Sequence, residues 1–91
     1  MSILTIIWLV ENRNIVGVRV RKARKAARPP ITQHDLVARL QLLGITMDQP
    51  GVSKIERGKR PVSDIEVAAL AKALKVSAAW LLEGADASST S

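Results

Sequence analysis

The spacing of apolar positions changes character early in the chain. Ile3 to Val10 form an almost unbroken apolar run of eight residues, in which Ile3, Thr5, Ile6, Ile7 and Val10 are β-branched. That composition favours a short strand over a helix. From Ile15 the period becomes helical. Val16, Val20, Ala23 and Ala27 recur at i, i+4, i+7 and i+11, the stripe of an amphipathic helix. Arg19, Arg21, Lys22, Arg24, Lys25 and Arg28 occupy its other faces. The Arg28-Pro29-Pro30 run ends that helix, because a residue before proline avoids the α region.

Thr32 then predicts the start of a second helix, with Asp35 completing a capping-box variant. Leu36, Val37, Leu40 and Leu43 form its expected buried face, and Gly44 is placed to close it in the left-handed region. Asp48 caps a third helix, whose first turn holds Gln49, Pro50 and Gly51. Proline is tolerated there because the first amides lack helical partners. Glycine costs about 1 kcal/mol against alanine, yet lets another backbone come close. Val52 and Ile55 point inward, which leaves Gln49, Pro50, Ser53, Lys54 and Arg57 on a short, polar and basic face. Gly58 stops this helix, and the Ser63/Glu66 capping box opens a fourth with Val67, Leu70, Ala71 and Leu74 as its core stripe. Ser77 caps a fifth, with Trp80 and Leu81 as expected core anchors. Residues 85–91 have nothing to bury and predict a frayed tail. The expected organisation is an apolar extension over 1–14, one domain over 15–84, and that tail.

Charge sharpens this outline. The 91-residue chain carries a net charge of +6, unevenly distributed. Residues 13–60 hold twelve Lys or Arg against Asp35, Asp48 and Glu56. From Pro61 onward, Lys72 and Lys75 face Asp64, Glu66, Glu83 and Asp86. A basic front and an acidic rear imply a polyanionic partner approached from one side. Without cysteine and with His34 as the lone histidine, no metal centre, cofactor or nucleophilic catalytic site is expected, and a cytoplasmic compartment fits. The opening run is too short for a membrane span of roughly twenty residues. It also lacks the positive start and small-residue cleavage site of a secretory signal. Single-stranded RNA readers stack bases on aromatic side chains, and this chain has only Trp8 and Trp80.

In order, "RVRKAR", "ITQHDLVARL", "GVSKIERGKRPVSD" and "ALAKALKVSAAWLL" resemble the Cro/CI-type helix-turn-helix regulators, the repressor class that includes the xenobiotic-response-element proteins. The resemblance covers residues 15–83. It implies an all-α, five-helix, lambda-repressor-like domain that binds double-stranded DNA, with its third helix in the major groove. On that pattern Gln49, Pro50, Ser53 and Lys54 would face base edges, while Gln33, Arg57, Lys59 and Arg60 would meet phosphates. Arg24 would pair with Glu56 as a structural tie. The stretch from Leu40 to Val52 is longer than the usual compact turn, which implies an altered angle between the second and third helices.

The function expected is a transcriptional repressor acting as a homodimer on a twofold operator. The alternative is an antitoxin, or another protein-interaction module with secondary DNA binding. The apolar opening lies outside the family pattern. Its favoured use is a strand from each chain paired across the dimer axis, with Ile3, Ile6, Ile7, Trp8 and Val10 at the interface. Other uses are a strand folded back on its own helices, or a passive tail.

Overall fold

In a computed structural model the described residues form five helices: α1 (Ile3–Ala26), α2 (Gln33–Leu42), α3 (Gln49–Glu56), α4 (Asp64–Leu74) and α5 (Ala78–Glu83). The backbone is described for residues 3–83 and the side chains for residues 15–83. The expected tail over 85–91 lies outside this range. So do the side chains of Ile3, Ile6, Ile7, Trp8 and Val10.

The expected strand is not formed. Ile3 to Val10 are the opening turns of α1, a helix of 24 residues that runs without a break into the amphipathic stretch. Strand propensity is overridden for a mechanical reason. A helix already nucleated over residues 15–26 gains one backbone hydrogen bond for each residue added to it. A single strand would leave its amides and carbonyls without partners in the same chain.

Each of the other helices begins as its capping residues dictate. Thr32 and Ser63 both make reciprocal capping boxes, with Asp35 and Glu66 respectively. The Asp48 carboxylate accepts from the Gly51 amide at 2.8 Å, and the Ser77 hydroxyl accepts from the Trp80 amide at 2.9 Å. Two helices also end alike. Gly44 (φ 88) and Gly58 (φ 70) adopt the left-handed region. There the Ile45 amide donates to Leu40, and the Lys59 amide to Lys54. Both are Schellman closures. The same closure follows α4, but with Lys75 at φ 59 in place of glycine.

Seven large side chains are fully buried at the centre: Val20, Leu36, Leu40, Val52, Ile55, Leu70 and Leu81. They join α1 to α3 and α5, and α2 to α3 and α4. Two expected core positions differ. Leu43 is the C-cap residue of α2 and is 43% exposed, because the chain turns outward there before Ile45 re-enters. Trp80 is half-buried, with the Arg19 guanidinium 4.3 Å above its ring centroid. It fills the α1–α5 seam from outside, as an amphipathic ring does when a cation covers its face.

Gly17 fixes how closely α1 can lie on α3. A Cβ at this buried position would collide with the Ile55 carbonyl oxygen and crowd the Glu56 backbone. Alanine at an ordinary helix position would gain about 1 kcal/mol over glycine. Overpacking against a backbone that cannot step aside costs about 1–3 kcal/mol, so the collision outweighs the propensity. Gly17→Ala is therefore expected to lower stability in denaturant melts, and a stabilised variant would show that α1 and α3 do not meet this closely.

Candidate nucleic-acid interface

The site is built around one ion pair between α1 and α3. Arg24 Nε donates to Glu56 Oε2 at 2.7 Å, and Arg24 Nη2 donates to Glu56 Oε1 at 2.9 Å. The pair is nearly dry, with side-chain exposures of 11% and 4%. Burying two charges is stabilising only when their remaining hydrogen-bonding capacity is met. Here Arg24 Nη1 donates to the Ile31 carbonyl at 3.0 Å. In return the Ile31 amide donates to the Arg24 carbonyl, which ties the end of α1 to the start of α2.

Glu56 passes this order outward. Its Oε1 also accepts from Gln33 Nε2 at 3.1 Å, and Gln33 Oε1 accepts from Gln49 Nε2 at 2.6 Å. Four side chains from three helices thus form one chain of bonds, running from the dry interior to the first residue of α3. The Gln49 amide keeps its carbonyl and one N–H free, and Gln33 keeps one N–H free. The Gly51 position is close as well, but its near neighbours are Asp48 Oδ1 and Met47 Cγ, each 3.0 Å from where a Cβ would stand. This glycine makes room for the cap and for buried Met47.

Pro50, Lys54, Arg57 and Lys59 are exposed, with Gln49 and Ser53 half-buried beside them. Glu56 is the only carboxylate of α3, and its engagement with Arg24 leaves the outer face polar and cationic. Arg57 Nε lies 3.4 Å from the Ser53 carbonyl oxygen. Arg60 is occupied elsewhere. Its Nη1 and Nη2 donate to Glu66 Oε1 and Oε2 at 3.2 and 2.9 Å, which braces the loop against the first turn of α4. These bonds, with further help from the Ser63 amide, hold the Glu66 carboxyl below its ordinary pKa.

A helix-turn-helix family model matches residues 31–81, more than half of the 91-residue chain and all of α2, α3 and α4. The chain belongs to the Cro/CI-type helix-turn-helix family. It is accordingly a DNA-binding transcriptional regulator. No curated protein and no solved structure matches it significantly.

Within this helix-turn-helix, the structure brings Gln33 and Gln49 together with Arg24 and Glu56. It leaves Lys54, Arg57 and Lys59 pointing to solvent, and diverts Arg60 to Glu66. Sequence reasoning missed the amide link between Gln33 and Gln49, the diversion of Arg60 and the packing role of Gly17. A glycine beside the core stripe of an otherwise good helix is a readable signal. The two other contacts depend on rotamers that no spacing rule supplies.

Removing one partner of the Arg24–Glu56 pair leaves the other charge buried and unmatched, at a cost of about 3–5 kcal/mol. Glu56→Ala and Arg24→Ala are each expected to destabilise the helix-turn-helix by that order in denaturant melts. The double variant should fall little further. Simple additivity would mean the two charges do not act together.

Proposed function

We propose that this regulator is a repressor that binds a twofold operator as a homodimer, with α3 in the major groove of each half-site. The observation that carries this reading is the outer face of α3, whose one acid is withdrawn into the ion pair while its amide, hydroxyl and ammonium groups face outward. Gln49 retains the carbonyl and N–H that a bidentate bond to adenine requires, and Lys54 can donate to guanine. Pro50 offers an apolar surface to a thymine methyl, and Ser53 a small polar contact. Arg57 and Lys59 meet phosphates, joined by the free N–H of Gln33 at the start of α2, where the helix dipole favours an anion. Arg60, already neutralised by Glu66, adds less.

The dimer rests on symmetry and on the apolar opening. Two recognition helices must stand about 34 Å apart, one DNA turn, to read a twofold site. With helical backbone, the sequence spacing of Ile3, Ile6, Ile7 and Val10 at i, i+3, i+4 and i+7 supplies an apolar stripe suited to a second copy. Occupancy of the operator then excludes the transcription machinery.

Selection of bound sites from random duplex DNA tests both parts. The wild-type protein should enrich an inverted repeat with half-site centres about one turn apart. Lys54→Ala should change the preferred bases, at about 1–3 kcal/mol for a good contact. Lys59→Ala should weaken all duplexes alike and reduce the salt slope by roughly one unit. A selected site without twofold symmetry would contradict the dimer, and identical behaviour of the two variants would contradict the division between base and phosphate contacts.

A further inference from the structure

The exposed cations of α1 are left over when the site above has been accounted for. Arg21, Lys22, Lys25 and Arg28 are all exposed, and among the described residues the ion pairs are Arg24–Glu56 and Arg60–Glu66. Their positions are not equivalent. Gly17 and Arg24 mark the side of α1 that meets α3, and Arg19, over Trp80, marks the side that meets α5. At about 100° per residue, Arg21 and then Lys25 follow directly outward from the α3 side, while Lys22 lies further round. Arg28 continues that edge beyond the helix end.

Helix stability does not account for this edge. Lys25 lies in the last turn of α1, where a cation complements the dipole. Arg21 lies further back, and at i, i+4 to Lys25 the two like charges repel. The edge also ends beside the start of α2, to which the Arg24 carbonyl and guanidinium are bonded. From Arg21 to Arg28 the helical rise is about 10 Å, close to the axial rise of roughly three phosphates on one strand.

We propose that Arg21 and Lys25, with Arg28 at the end of the edge, form a second phosphate-binding strip that holds the DNA backbone outside the half-site read by α3. The strip rests on the major-groove reading above and extends it, adding affinity without sequence preference. It lengthens the duplex that the protein requires beyond the bases it reads.

The test compares two duplexes carrying the selected site, one trimmed to its reading frame and one with about ten further base pairs on each side, titrated across salt concentrations. Arg21→Gln/Lys25→Gln should keep the wild-type melting temperature and base preference, because both residues are exposed. On the long duplex its salt slope should be smaller by about two units, roughly 0.9 for each lost contact. On the trimmed duplex it should match the wild type. An unchanged slope on the long duplex overturns the proposal, as does an equal reduction on both lengths. If the wild-type protein shows no sequence-dependent duplex binding, the major-groove reading fails and the strip falls with it.

Discussion

A dry ion pair between Arg24 and Glu56 sets the geometry on which the rest of this domain depends. Two charges this far from water would be a liability without full satisfaction. The bidentate fork, the Ile31 carbonyl and the Gln33 amide provide it. The same contacts fix three helices at once: α1 through Arg24, α3 through Glu56, and the start of α2 through Ile31 and Gln33. Gly17 complements the pair by letting the two backbones approach until the fork can close. Hydrophobic burial of Val20, Leu36, Val52 and Ile55 supplies the driving force. It is non-directional, and the ion pair supplies direction.

This arrangement also divides the charges by role. Glu56 and Glu66 each engage an arginine, Arg24 and Arg60. Those two cations serve the fold, one inside the core and one bracing the loop before α4. What remains outward on α3 and its following loop is Lys54, Arg57 and Lys59. A surface built this way keeps its attraction for a polyanion while its acids are spent internally, which net charge alone does not convey.

Much of the fold was legible because its signals are local. Thr32, Asp48, Ser63 and Ser77 cap the helices they announce, and Gly44 and Gly58 close two of them in the left-handed region. The N-terminal run was misread because β-branched composition speaks to an isolated segment, whereas this one extends a helix nucleated downstream. Leu43 was misplaced because a helical stripe was extended through a residue that is already a cap. The end of α4 carried no glycine to read, since Lys75 takes the left-handed position itself. At the site, residue types and faces were visible, and the Arg24–Glu56 tie followed from the family pattern. The bonds among Gln33, Gln49 and Glu56 were not, because they arise where three helices converge.

The central claim is that order runs from the buried pair through Gln33 to Gln49, so that Gln33 orients a base-reading side chain as well as meeting a phosphate. The most direct measurement is the base preference selected by Gln33→Ala from random duplex DNA, compared position by position with that of the wild-type protein. Loss of preference at one position per half-site, the one facing Gln49, with the others retained is the predicted result. A uniform loss of affinity with every preference intact would contradict it and leave Gln33 a phosphate contact alone.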